Sequence, residues 1–155
     1  MPDALSPDQP DAARRRWMAV LARADAEELG ERLEASGEVP SYRLLRGPEA
    51  GLVMVRGRAG GGGAPFNLGE MTTTRCTVRT DCGFVGHAYV AGRKERLAEL
   101  AALTDALLQD PARQSRMMGD VVEPLAELQR SRRDEVAGKA AATRVQFFAM
   151  RNMRT

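Results

Sequence analysis

Apolar residues recur at helical spacing near the start of the chain. Trp17, Val20, Leu21 and Ala24 fall on one side of a predicted amphipathic helix over residues 11–23. Asp25 with Glu28 three residues later has the spacing of a capping box, Asp standing where Ser or Thr is usual. A second short helix follows over residues 26–35, with Leu29 and Leu33 on one face, and Gly37 and Pro40 end it. The period then changes from helical to alternating. Residues 41–47 and 51–58 predict strands; in the second, Val53 and Val55 face one side and Leu52, Met54, Arg56 and Arg58 the other. After a glycine-rich connection the alternation resumes, with Thr73, Arg75, Thr77 and Arg79 on one face and Thr72, Thr74, Cys76 and Val78 on the other. Asp81-Cys82-Gly83 reads as a turn and FVGHAYVAG as the next strand, which makes an antiparallel meander with a Gly-rich hairpin loop.

Helical periodicity returns over residues 93–109, where Leu97, Leu100, Ala101, Thr104, Leu107 and Leu108 form a stripe suited to lie on the sheet. Asp110-Pro111 supplies an N-cap and a proline at the first helical position for another short helix. Pro124 separates that helix from a charged segment over residues 125–142, whose SRRDE stretch reads as a solvated face. The closing ATRVQFFAM, with Val145, Phe147 and Phe148, predicts a strand that adds to the sheet or to a partner. The fold class is therefore α+β: one domain over residues 11–155, a central antiparallel sheet packed by helices from both ends of the chain. Residues 1–10, with three prolines and two aspartates, read as a disordered lead.

Composition narrows the function classes. The 155 residues suffice for one buried core, and 43% hydrophobic with 28% charged is ordinary globular usage. No apolar run approaches the roughly 18 residues a membrane span needs, and the N-terminal segment lacks the apolar core of a signal peptide, so a cytoplasmic chain with no membrane role is expected. Cys76 and Cys82 are the only cysteines and His87 the only histidine, too few for a zinc site built by this chain alone. The net charge is only +2, but 21 of the 23 basic residues are arginine, whose guanidinium forks suit phosphate and carboxylate partners.

Candidate chemistry centres on residues 57–70, GRAGGGGAPFNLGE. Glycine alone takes positive φ without steric cost, so Gly60, Gly61, Gly62 and Gly63 can present backbone amides to an anion or a neighbouring surface. A flexible hairpin connection is the plainer reading of the same run. It is not a P-loop: no lysine and hydroxyl follow, and it lies between strands, where no helix dipole adds to an anion site. His87, with Cys76 or Cys82 as nucleophile, is the one possible nucleophile–base pair, but His87 reads as a structural hydrogen-bonding residue, Cys76 as core and Asp81 as a turn residue. No catalytic residue is assigned. Arg75 and Arg79 share a strand face, and Arg56 and Arg58 are expected to join them across the hairpin. That cluster suits a polyphosphate or a partner's carboxylates, and a partner surface is the preferred reading.

Taken together, RRRWMAVLA, GLVMVRGRAGGGGAPFNLGEMTTTRCTV, GHAYVAGR, LTDALLQD and TRVQFFAM, in that order, resemble the PhnG subunit of the bacterial phosphonate carbon–phosphorus lyase system over nearly the full chain. The resemblance implies action with companion subunits PhnH, PhnI and PhnL, which together displace adenine from ATP by an alkylphosphonate to give ribose 1-phosphonate 5-triphosphate. It also implies a two-fold symmetric core complex that includes the lyase subunit PhnJ. The nucleosidase-type chemistry is attributed to PhnI, and no catalytic residue carries over to this chain. The chain then counts as a subunit of a multi-subunit transferase, inactive in isolation and binding no cofactor itself. ATP is the substrate of the complex, and the iron–sulfur cluster and SAM belong to the lyase subunit. The expected role is assembly, through an exposed apolar face that includes Trp17, Phe66 and Phe147. The alternative is direct nucleotide triphosphate binding by Arg56, Arg58, the Gly60–Gly63 amides and Arg75. A nucleic-acid-binding regulator rests on arginine excess alone, without a helix-turn-helix signal.

Overall fold

The computed structural model describes residues 9–37, 39–58 and 62–143. Helix α1 (Gln9–Leu21) leads into α2 (Ala26–Ala35), whose first turn is capped by Asp25: its Oδ1 accepts from the backbone of Glu27 at 2.9 Å and of Glu28 at 3.4 Å. The reciprocal arm of the predicted capping box is absent, because the Glu28 carboxylate takes a 2.6 Å bond from Arg132 instead. Strands β1 (Tyr42–Gly57), β2 (Phe66–Thr80) and β3 (Val85–Ala91) form one antiparallel sheet in the order β1-β2-β3. Helices α3 (Glu95–Leu108) and α4 (Pro111–Met117) follow, then a π-helical turn (Met118–Val122) and α5 (Glu123–Ala142). Among the described residues the α+β class stands.

Two expectations change. The strands predicted over 41–47 and 51–58 are a single 16-residue strand, because irregularities between Leu44 and Arg46 and between Arg46 and Glu49 absorb the Gly47-Pro48 pair without ending the ladder. An edge strand tolerates this, since a proline there need not donate to a neighbour. Pro124 does not break the helix either: it lies in the first turn of α5, and helical structure runs from α4 through the π turn into α5. Of the glycine-rich connection, residues 59–61 lie outside the described residues, as do residues 1–8 of the predicted lead and the C-terminal strand with Phe147.

The core is the contact between α3 and one sheet face. Cys76, Val78, Ala88 and Val90 project from β2 and β3 onto Leu97, Ala98, Ala101 and their neighbours, all buried. Gly86 is where the helix comes closest. A Cβ there would collide with the Ala102 carbonyl oxygen and stand 2.5 Å from Ala106 N, so only glycine fits under this crossing. Buried Thr74 ties β2 to the turn before α3, donating to Gly92 O at 2.6 Å and accepting from Lys94 N at 3.0 Å. The remaining helices pack mainly around α3, with Trp17, Leu21, Leu29, Leu33, Val121 and Leu125 completing the core.

Candidate functional site

The sheet face opposite α3 has no covering element among the described residues. Register places Arg43 opposite Arg79, Arg46 opposite Thr77 and then His87, and Glu49 opposite Arg75 and then Tyr89. Directly opposed residues share a face, so these side chains stand together on the open side. Glu49 Oε1 accepts from Arg75 Nε at 2.6 Å and lies 3.2 Å from Arg46 Nε. Tyr89, more than half exposed, stands beside the Arg75 guanidinium and, with Glu49 next in strength, raises its pKa further above the ordinary arginine value. Thr77 Oγ1 and His87 Nδ1 are 3.1 Å apart. Arg43 and Arg79 are directly opposed, and among the described residues they pair with no other group.

Past Gly51 and Thr73, the last row with a partner in β3, the first two strands continue alone as a ribbon from Leu52/Thr72 to Gly57/Phe66. At about 3.3 Å per residue it projects roughly 17–20 Å. Both of its sides carry apolar groups. Leu52 and Met54 occupy one; Val53, Val55, Met71 and Phe66 share the side of Arg75, and Leu68 lies against Gly57 there. Leu52 is 64% exposed, Leu68 59%, Met54 52%, Phe66 48% and Met71 42%, so exposed apolar side chains cluster on both sides of this one ribbon.

Side chains of α3 and the residue after it cap part of the other sheet edge. Asp105, fully buried on α3, accepts the outward backbone N–H of His87 at 3.0 Å, and Gln109 Nε2 donates to Val85 O at 2.7 Å. The same carboxylate takes Arg14 Nη2 at 2.7 Å, Arg14 Nε at 3.2 Å and Trp17 Nε1 at 2.9 Å, and so pins α1 beside β3. Side chains thus cap part of the β3 edge, while no described element covers that of β1.

The chain matches the family model described as phosphonate metabolism protein PhnG over residues 12–152. It is similar to the alpha-D-ribose 1-methylphosphonate 5-triphosphate synthase subunit PhnG of Rhizobium meliloti (strain 1021), 46% identical over 149 residues, with 94% of this chain and 92% of the relative covered. This chain belongs to the PhnG family.

Within this PhnG-family chain the predicted arginine cluster does not assemble. Arg56 pairs with Asn67, near the ribbon tip and on the side opposite Arg75, and the two lie about 25 Å apart along the strands. Arg56 donates to Pro65 O at 3.5 Å, and Arg58 follows the end of β1. Gly62 and Gly63 are exposed, Gly63 with φ +90°, while Gly60 and Gly61 lie outside the described residues. Phe66 is exposed as expected; Trp17 is not. At 5% exposure it belongs to the core, because its indole N–H finds an acceptor in Asp105. Cys76 is buried, as read from the sequence, and burial, then the Glu99 carboxylate, pushes its thiol up to about 11. Burial and the 2.7 Å bond to Glu99 likewise push Tyr42 up to about 12.

Sequence reasoning missed Asp105, Arg14 and the Arg43–Arg79 pair. A signal for the first existed: Asp105 is one position from Thr104 and four from Ala101, an acid inside the apolar stripe of α3. A recess of about 680 Å³ between α1 and the helices after Asp110 is lined by Arg16, Trp17, Gln114, Ser115, Met118 and Glu123. Among the described residues, no helix is long and apolar enough to cross a membrane.

Proposed function

We propose that this chain is an assembly subunit of a synthase that transfers the ribose 5-triphosphate of ATP to an alkylphosphonate with release of adenine. The observation that carries this reading is the two-sided apolar ribbon. Covering five side chains of this kind, each about half exposed, is worth roughly 4–8 kcal/mol before the costs of association are charged. The family supplies the setting, and the name of the relative supplies the product, a ribose 1-methylphosphonate 5-triphosphate. The companions are PhnH, PhnI and PhnJ, with PhnL in the same system, and a cytoplasmic location goes with that reading. Of the side chains of reactive type, Asp105 is committed to helix docking, the Cys76 thiol to the core and His87 to Thr77, while the Cys82 thiol is free and exposed in the turn before β3. ATP is bound by the companions.

Co-expression of the tagged chain with PhnH, PhnI and PhnJ tests this. The wild-type chain is expected to co-purify in a stoichiometric complex with two-fold copies. Met54→Ser with Leu68→Ser is expected to abolish co-purification while leaving the lone chain folded and more soluble. A monodisperse wild-type chain that ignores its companions sinks the assembly reading. The alternative, direct binding of a nucleotide triphosphate by Arg56, Arg58, Gly60–Gly63 and Arg75, has less support. Its arginines occupy opposite sides of the ribbon, and Arg75 is held by Glu49. Loss of ATP binding by the Arg75→Ala complex, with assembly intact, would revive it.

A further inference from the structure

The open sheet face carries an excess of charge that the fold does not neutralise. Among the described residues, Arg43, Arg46, Arg75 and Arg79 share it with one carboxylate, Glu49, in a chain whose formal net charge is only +2. Glu49 is already engaged by Arg46 and Arg75. Arg43 and Arg79 face one another directly across the ladder and, among the described residues, pair with no other group, although like charges in that position destabilise a sheet. The recess between them, about 320 Å³, is bordered by Thr80, Asp81 and Gly83, with Asp81 bonded to neither guanidinium. An opposed pair of this kind becomes favourable when a carboxylate from outside lies between the two forks.

The rest of the face says what brings that carboxylate. The Arg79 and Arg75 stations are four residues apart on β2, about 13 Å, with the Thr77–His87 pair between them. A small anion reaches one station only. An extended polypeptide, whose alternate side chains repeat every 6.5–7 Å or so, reaches both. Tyr89 stands exposed at the second station beside Arg75, and tyrosine and arginine are the residue types that anchor protein interfaces. Lysine, depleted at interfaces, is absent from this face.

We infer that the open sheet face docks an extended acidic segment of a companion subunit, with one carboxylate clamped between Arg43 and Arg79 and the segment running along β2 toward Arg75 and Tyr89. This rests on the assembly reading and assigns it a second contact, electrostatic where the ribbon is apolar.

The test measures association of the purified chain with its co-purified companion subunits over a series of salt concentrations. Arg43→Glu with Arg79→Glu is expected to weaken association at least tenfold and to flatten its salt dependence, while Met54→Ser weakens association and leaves the salt slope in place. Lysine at both positions keeps the charge but loses the fork, and an intermediate loss supports a clamped carboxylate. Thermal melting of the free chain controls for folding. Arg79→Gln relieves the like-charge contact, so its Tm is expected to be unchanged or higher. If the wild-type chain does not associate at all, the assembly reading falls and this inference with it. Should the wild type assemble and the double charge reversal keep both affinity and salt slope, the docking inference falls alone. A third outcome also overturns it: inorganic tripolyphosphate binds the free chain one to one, the Arg43→Gln/Arg79→Gln variant does not bind it, and that variant still assembles. The pair is then a small-anion site.

Discussion

Replacing Asp105 with alanine isolates the contact that sets α1 and β3 in place behind the open face. The carboxylate is fully buried and accepts from Trp17 Nε1, the His87 backbone, both nitrogens of the Arg14 fork and, at 3.3 Å, Gln109. Its removal leaves two buried neutral donors, the Trp17 indole and the His87 amide, with no acceptor; each costs about 1–3 kcal/mol. Arg14 loses less, because its side chain is 32% exposed and can turn to water. Gln109 keeps its bonds to Val85 O and to the backbone oxygen of residue 105. The loss is therefore about 2–6 kcal/mol, against a total of roughly 5–15 for a domain of this size. Taking about 4 kcal/mol, the midpoint should fall by about 8–16 °C. Asp105→Asn should recover only part, since donors converge on both carboxylate oxygens and either orientation of the amide turns an NH2 toward some of them. Urea denaturation followed by circular dichroism reads the loss, and a cycle with Trp17→Phe should show coupling of at least about 0.5 kcal/mol. A loss below 1 kcal/mol for Asp105→Ala, or additivity in the cycle, would refute the claim that this carboxylate docks α1.

Two further outcomes follow from the packing. Gly86→Ala places a methyl group against the backbone of α3 at Ala102 and Ala106, where no flexible side chain can yield, and should cost about 1–3 kcal/mol or more in a denaturant melt; a neutral result would mean the helix is not seated there. The Cys76 thiol is raised from 9.0 to about 11 in the folded chain, so the unfolded state ionises first as pH rises and binds fewer protons. Stability from this group is complete below pH 9 and is lost as pH rises toward 11, by up to about 3 kcal/mol. Tyr42 adds to the fall in the same direction between pH 10 and about 12. Denaturant melts from pH 8 to 11 should show the decline, and Cys76→Ala should flatten it; an unchanged slope would exclude the thiol as its source.

Much of the architecture was legible because the two periods stand apart in the sequence. The stripe from Leu97 to Leu108 is helical over three turns, and the Thr-Arg alternation of β2 assigns its faces directly. What escaped depends on relations between elements. Alternation tells which residues of one strand share a face, but a single displaced residue in a partner reverses the match. Sequence alone therefore groups Arg56 and Arg58 with Arg75, and misses Arg43 opposite Arg79 and Arg46 beside the Glu49–Arg75 pair. Gly47-Pro48 carries a strand-breaking signal that bulges on an edge strand cancel. Trp17 has helical spacing that serves a core and an interface equally. Only the acceptor 88 residues away decides between them, and no local pattern contains that distance.

The distribution of exposed hydrophobic residues bears most directly on function. Single exposed apolar side chains are normal on any protein surface. Here, however, Tyr42, Leu44, Leu45, Leu52, Met54, Phe66, Leu68, Met71 and Tyr89 are all on the sheet, and Val136 is the one large hydrophobic among the described residues exposed elsewhere. The helices bury their apolar stripes, and Asp105 and Gln109 cap backbone groups at the edge of β3. Among the described residues nothing covers the β1 edge, the ribbon or the arginine face, and these three adjoin along one pair of strands. A free edge of 16 residues flanked by apolar groups invites pairing with any other chain, a hazard that a protein acting alone suppresses with charge or cover. Retaining it is consistent with a chain whose cover is another polypeptide. The irregularities at Gly47 and Pro48 limit the open edge to short regular stretches, which favours a partner shaped to them over a second copy of the same strand.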